Sequence, residues 1–500
     1  LLPIDIPTRG FNPLYIARFY VCRTIKKSIY FEEIMSTTHL WSDLYQQHQD
    51  QSVYQQALTY ALEYLKGLRD QRVFPSAEAL ARLSELDEAM PVQPNDPSAV
   101  LRQLHEIGSP TTVLHGNGRY FGFVNGGVLP SAMAARWLAD AWDQNGALHV
   151  LSPITATLEQ LCERWMVDLL GLPVGTAAGF VSGTSVASLC GMVAGRNALL
   201  KRKGWDVSEQ GLFGAPPIRV VISQQAHSTV RKALSILGIG QRNIEWVSPD
   251  AQGRFDPQTM PILDDNTLLI LQAGNVNSGA FDDFVTLCGK AREVGAWVHV
   301  DGAFGLWAAA CEQTKYLTNG VELADSWSVD AHKTLNVAYD NGIILCKDRQ
   351  ALVSALQATG DYIQFSENRD AMLYGPEMSR RARGIELWVA LKTLGRSGVD
   401  ALVKQLCDHA QTFSYALQQA GFRVLNDVVF NQVMVACDTP ELTSATLKNI
   451  QASGECWCGG SQWQGEPVIR VSVCAWMTTS DDVAHTVATF VKAREQAQGA

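Results

Sequence analysis

Apolar residues recur along this chain with two different periods, and the change between them outlines its architecture. From Thr38 to Leu86 they fall three and four apart, as at Leu40 and Leu44 and again at Leu58, Leu62 and Leu65. That is the spacing of one buried helix face. The proline-rich stretch MPVQPNDPSA, 90–99, breaks the pattern and marks the edge of an N-terminal helical segment, 35–110. Beyond it short apolar runs take over, at 219–222, 268–271, 296–300, 327–329 and 342–346. Helical stretches such as 228–237 and 281–293 separate most of them. Such alternation predicts a large α/β domain over 111–394, built on a mostly parallel sheet wrapped by helices. From about Gly395 the texture changes to a long helix, 400–419, and isolated strands at 422–425, 433–436 and 468–473. A small C-terminal α+β domain, 395–500, is expected there.

Composition narrows the class. The 500 residues are 47% hydrophobic and 18% charged, ordinary for a globular chain with a large core. A formal net charge of −10 argues against nucleic acid or an anionic membrane as the main partner. No apolar run is long and clean enough to span a bilayer; the nearest, 177–195, is interrupted by Ser182, Thr184, Ser185 and Ser188. The eleven cysteines are scattered, mostly inside apolar patterns, which predicts reduced, structural thiols and a cytoplasmic protein. Residues 1–34 carry five Lys/Arg against three Asp/Glu, with no continuous apolar core. They read as an extension, non-native or disordered, ahead of a fold that begins near Met35.

In parallel α/β sheets ligands collect at the carboxyl ends of the strands, so the polar residues that follow each run are the informative ones. GFVSGTS, 179–185, passes from a strand through Ser-Gly-Thr-Ser into a helix, a cradle of backbone N–H groups and hydroxyls suited to a phosphate. Glycine and hydroxyl residues also cap many helices that bind nothing. His227 follows a second strand, in QQAHSTVRKA; a strand-end histidine satisfied by backbone is the plainer alternative. Asp301 ends a third, in WVHVDGAFG, where a carboxylate is costly unless something cationic faces it. Lys333 follows a fourth, in SVDAHKTLN. In water only about one lysine in 2000 is neutral at pH 7, and burial raises that fraction and frees a nucleophilic amine. Lysine amines serve enzymes mainly by forming Schiff bases with carbonyls. Phosphate cradle, carboxylate, aromatic ring and lysine together specify pyridoxal 5′-phosphate (PLP).

The motifs DAHKTLN, HVDGAFG, QQAHSTVRKA and GFVSGTS resemble those of the pyridoxal-dependent (group II) amino acid decarboxylases. That family includes glutamate, aromatic-L-amino-acid, cysteine sulfinate and 2,4-diaminobutyrate decarboxylases. The similarity extends from NGRYFGFVNGG (117–127) through SRRARGIELWVALKTLGR (379–396) to IRVSVCAWMTT (469–479). It implies PLP-dependent fold type I, like aspartate aminotransferase, with a seven-stranded sheet in the large domain. It also implies a homodimer whose active sites lie at the subunit interface. Carried over position by position, it makes Lys333 the Schiff-base lysine and Asp301 the partner of the pyridine nitrogen. His227 would stack on one face of the ring, with Ala303 against the other. Gly183, Thr184, Ser185 and His332 would hold phosphate, and Tyr362 stands where the family's mobile-loop tyrosine returns a proton to Cα. One departure lies in AGNVNSGAFDDF, where many relatives have Gly-Thr-Thr and this chain has Asn275 and Val276. Asn277 and Ser278 are alternative donors there, and the third alternative is that the contact is missing.

The expected reaction is α-decarboxylation of an L-amino acid to its amine and CO2. An aminotransferase, an aldehyde synthase or a carbon–carbon lyase could use the same lysine and aspartate. The decarboxylase-like settings of His227 and Tyr362 favour decarboxylation. Side-chain specificity is not legible in the sequence: Arg119, Arg380 and Arg470 could each meet a substrate carboxylate or serve the structure.

Overall fold

The computed structural model describes residues 41–357 and 368–499. Its contacts form two compact units, one holding the described residues up to Leu68 with Ala77–Thr112, the other Arg69–Ser76 with the described residues from Val113 onward. In the first unit the helical stretch foreseen over 38–86 is interrupted. Gln51 takes a left-handed φ of 57° ahead of helix α1 (Ser52–Gly67), and helix resumes only at Ala77–Ala81 before tightening into a 3-10 turn, Arg82–Leu86. The proline-rich break is itself a helix start. Asp96 accepts from the N–H groups of Ser98 and Ala99 and caps α2 (Pro97–Gln103), with proline at its first position.

The second unit is built on twelve strands. They are β1 (Tyr120–Phe121), β2 (Ala177–Val181), β3 (Arg219–Ser223), β4 (Ile244–Val247), β5 (Thr267–Gln272), β6 (Trp297–Asp301), β7 (Ser326–Asp330), β8 (Gly342–Cys346), β9 (Arg423–Val424), β10 (Gln432–Ala436), β11 (Trp457–Trp463) and β12 (Glu466–Ser472). Seven form one sheet in the order β2-β8-β7-β6-β5-β3-β4. All neighbours in it are parallel except where β8 pairs antiparallel with both β2 and β7. The sheet is therefore mostly parallel, as the alternation predicts.

Its longer described helices are α3 (Pro130–Trp142), α4 (Pro153–Leu169), α5 (Thr184–Arg202), α6 (Ser228–Ile236), α7 (Phe284–Val294), α8 (Gly384–Gln419), α9 (Pro440–Ser453) and α10 (Ser480–Gln498), with shorter ones at Val207–Gln210 and Arg349–Leu356. The period of two along each strand sends neighbours to opposite faces. Val220, Ile222, Leu268 and Ile270 pack with Ala187 and Cys190 of α5 and Val230 of α6. Val221, Leu269 and Leu271 pack on the other face with Met166 of α4 and Leu287 of α7. Both faces are covered, which is why these strands read as continuous apolar runs.

The second sheet, β1-β11-β12-β10-β9, is antiparallel apart from β1 with β11. Val433, Val435, Ile469 and Val471 bury one of its faces against Phe413 of α8 and Phe490 of α10. Within α8, Gly395 adopts φ 60° and kinks the helix, at the point where the sequence changes texture. Three strands escape the hydrophobic reading. β4 is a short edge strand carrying Glu245, β11 contains Gly459 and Gly460, and β1 is two residues long. The chain around β1 is thus joined to the C-terminal sheet rather than to the large one.

Candidate active site

Strands β2, β3, β5, β6 and β7 all point the same way, and their carboxyl ends border one cavity of about 760 Å3. Gly183 and Ser185 enter it after β2, His227 after β3, Val276 and Asn277 after β5, Asp301 and Ala303 after β6, and Asp330, His332 and Lys333 after β7. Nearly all the residues singled out from sequence therefore meet in one place, although they span 150 positions from Gly183 to Lys333. Tyr362 lies outside the described residues.

Asp301 is the last residue of β6 and is buried. Its carboxylate accepts one hydrogen bond, from the Ala303 N–H at 3.2 Å, and none from a side chain among the described residues. Burial pushes its pKa up, while nearby His227 and Lys333 pull it back. A buried carboxylate with so few partners is a place prepared for a cation.

His227 caps α6. Its Nδ1 accepts from the Thr229 N–H at 3.3 Å and lies 2.7 Å from the Thr229 hydroxyl. An Nδ1 that accepts a backbone N–H carries no proton, so the ring hydrogen sits on Nε2. Burial lowers the pKa further. His227 thus presents a neutral ring of fixed orientation.

Lys333 places Nζ 3.2 Å from Oδ2 of Asp330. Asp330, almost wholly buried at the end of β7, also accepts from the Thr184 N–H at 2.7 Å and the Thr184 hydroxyl at 3.0 Å, and lies 3.5 Å from Nε2 of His332. The sequence reading overlooked this aspartate, although it stands three residues before the lysine at a strand end. Its contact reaches across 146 positions to Thr184. Gly183, Thr184 and Ser185 all line the cavity, and Thr184 has both of its donors held by Asp330. His332 accepts the Asn341 N–H through Nδ1 at 3.0 Å, and its ring lies 4.3 Å from that of Tyr339.

The lysine loop is held from several sides. Asn336, at a left-handed φ of 56°, accepts from the N–H groups of Gly127 (2.8 Å) and Trp476 (3.0 Å) and donates to the carbonyls of Thr334 (2.9 Å) and Cys474 (3.0 Å). Gly126 passes so close that a Cβ there would sit 2.2 Å from the Lys333 carbonyl oxygen. Just before it, Phe123 and Val124 line the cavity with φ of 52° and 59°. Two consecutive non-glycine residues in the left-handed region store strain where ligands bind.

The departure at 275–278 resolves into a self-contained turn. Asn275 accepts from the N–H groups of Asn277 (2.9 Å) and Ser278 (3.2 Å) and donates to the Gly253 carbonyl, while Ser278 donates to the Gln252 carbonyl. Of the two substitutes considered, only Asn277 lines the cavity, and its Oδ1 accepts from the Ser461 hydroxyl at 2.7 Å.

The three arginines separate as well. Arg380 is buried and bound to Glu159 at 2.5 Å and to the Phe180 carbonyl at 3.0 Å. Arg119 donates to the Arg69 carbonyl at 3.2 Å. Arg470 lines the cavity, and its side chain makes no hydrogen bond or ion pair among the described residues; its Nε is buried without a partner. Burial lowers the pKa of its guanidinium.

The residues fit PLP on these grounds: an anion cradle at a helix start, an under-partnered buried carboxylate, a neutral ring and a lysine. A Cβ on Gly183 would approach Cε1 of His332 to 3.3 Å, so glycine leaves the cradle its full room. No cluster of His, Cys, Asp or Glu able to hold a metal ion occurs among the described residues.

Fold and site together define a fold type I PLP-dependent enzyme. The chain matches the pyridoxal-dependent decarboxylase conserved domain over residues 80–436, and it belongs to that family. It is thus a PLP-dependent carboxy-lyase acting on amino acids. It is 23% identical over 482 residues to L-tyrosine/L-DOPA decarboxylase 2 of Lophophora williamsii, covering 86% of this chain and 90% of that protein. Phenylacetaldehyde synthase of a Rosa hybrid cultivar is 25% identical over 459 residues, covering 84% and 89%. Among solved structures, Oryza sativa TDC with PLP and tryptamine superposes with a TM-score of 0.83 at 21% identity, covering 90% of this chain and 98% of that one.

Proposed function

We propose that Lys333, Asp301 and His227 carry an α-decarboxylation of an L-amino acid, with Arg470 docking the substrate's carboxylate. The observation behind this is the convergence of the three on one cavity, with Asp301 buried and nearly unpartnered. Bound PLP supplies an electron-poor ring that accepts the electron pair left when the α-carboxylate departs as CO2. Lys333 would hold the aldehyde carbon, Asp301 the proton on the ring nitrogen, and His227 and Ala303 the two faces. The start of α5, with Gly183 and Ser185 foremost, would hold the phosphate, with Thr184 and His332 beside it. Arg470 is free to meet a carboxylate that every amino acid brings, and its side chain's lack of a partner among the described residues supports that use.

The chain is proposed to act as a homodimer. In support, Trp137, Leu138 and Trp142 of α3 and Val150, Leu151 and Ile154 beyond it are exposed. Large apolar side chains left exposed at close spacing along a chain are the kind that an interaction site covers. A cytoplasmic location is also proposed, supported by ten described cysteines that are all buried and unpaired; cell fractionation tests it.

The deciding experiment treats one sample of the purified protein with borohydride and a second, unreduced sample with a panel of amino acids. Reduction should fix the cofactor on Lys333, and Lys333→Ala should abolish turnover with the fold retained. A label on another lysine would overturn the assignment. CO2 released one-for-one with amine identifies the decarboxylase; keto acid would identify an aminotransferase, and aldehyde an oxidative synthase.

A further inference from the structure

Asp330 sits where an aspartate is least expected. The leading N–H of α5 and the adjacent hydroxyl, the first donors a phosphate would meet, are both occupied by its carboxylate, at 2.7 and 3.0 Å from Thr184. The same carboxylate reaches Nζ of Lys333 at 3.2 Å. One internal anion thus touches both the helix end suited to phosphate and the amine suited to the aldehyde. A phosphate monoester carries close to two negative charges at pH 7, and like charges in a poorly solvated pocket repel.

His332 does not relieve this. Its Nδ1 accepts the Asn341 N–H, so it faces Asp330 as a neutral ring with hydrogen on Nε2. Lys333 is the nearest full cation, and it is the group that the cofactor's aldehyde takes. The cradle is also closely backed: a Cβ on Gly342 of β8 would lie 2.3 Å from Cα of Gly183.

We propose that Asp330 is a positioning residue that acts as an anionic placeholder for the phosphate. It holds Thr184 and Lys333 in register in the cofactor-free chain, and it weakens phosphate binding so that the cofactor exchanges readily. This rests on the PLP reading of the site. It does not require Asp330 to touch the reacting atoms.

The test compares wild type with Asp330→Asn and Asp330→Ser in the full chain freed of cofactor, by binding titration and circular dichroism. The asparagine keeps the shape and the acceptor for Thr184 but removes the charge; the serine withdraws the group altogether. Both should bind inorganic phosphate and PLP at least tenfold more tightly than wild type. Pyridoxal, which lacks the phosphate, should bind no better. Unchanged or weaker binding of phosphate in both variants would overturn the proposal, as would equal tightening of pyridoxal. Failure of both variants to fold would also overturn it, by assigning Asp330 to folding alone. The PLP reading is judged separately, by whether wild type itself takes up PLP with a visible absorption band.

Discussion

At the scale of the residue, Asp301 shows how a site can be unfavourable until it is filled. Burial raises its pKa in the folded chain, so the folded state favours the protonated form. The stability it permits is fully present below the unfolded carboxylate range and is lost as pH rises through the raised folded value. Ionising this carboxylate in the cofactor-free chain is therefore costly, with only the Ala303 N–H to answer it. Asp301→Asn, which keeps the acceptor for Ala303, should raise the melting temperature of the cofactor-free chain by about 2 °C or more, as read by calorimetry. The same change should lower turnover of the loaded enzyme by about a hundredfold, ~2.7 kcal/mol. A second prediction concerns Arg470. Arg470→Gln should raise KM by about 10- to 100-fold, the worth of a charged hydrogen bond, with kcat little altered; steady-state kinetics on the best substrate would show it. Lys333, Asp301 and His227 were legible in the sequence because each ends an apolar run with a group that burial penalises. Asp330 was not, because its importance lies in a partner 146 positions away. Arg470 could be noticed but not told apart from Arg380, since only packing shows that one is paired and the other is not.

At the scale of the element, the parallel strands were readable because burial on both faces leaves an unbroken apolar signature. β4, β11 and β1 were not, being an edge strand, a glycine-containing strand and a two-residue bridge. The antiparallel insertion of β8 was equally hidden, since strand direction leaves no mark on composition. Yet it matters for the site, because Gly342 at its start pairs with Val181 on one side and Asp330 on the other. Gly342→Ala would drive a methyl group into the Gly183 backbone. It should destabilise the fold by about 1–3 kcal/mol and loosen PLP, measurable by denaturant melts and by absorbance after dialysis.

At the scale of the whole molecule, the exposed apolar residues of α3 and of the chain on to Ile154 are the ones proposed to meet a second copy. If they are covered by a second copy, light scattering should give about twice the 54.7 kDa chain mass, and Trp142→Glu should shift the protein toward monomer. Loss of activity along with the dimer would place the partner chain at the site. A monomer of full activity would remove the homodimer proposal.

The position of β8 has one more consequence. That strand lies alone between β2 and β7, which face the same way, and β6 lies one strand further on. The turns after β2 and β7 are consequently set about two strand spacings apart, ~9.6 Å. The sheet acts as a ruler. The interval between the phosphate's seat and the lysine's is fixed by backbone hydrogen bonding, whatever side chains occupy the loops. A ligand is measured for length before any side chain inspects its chemistry.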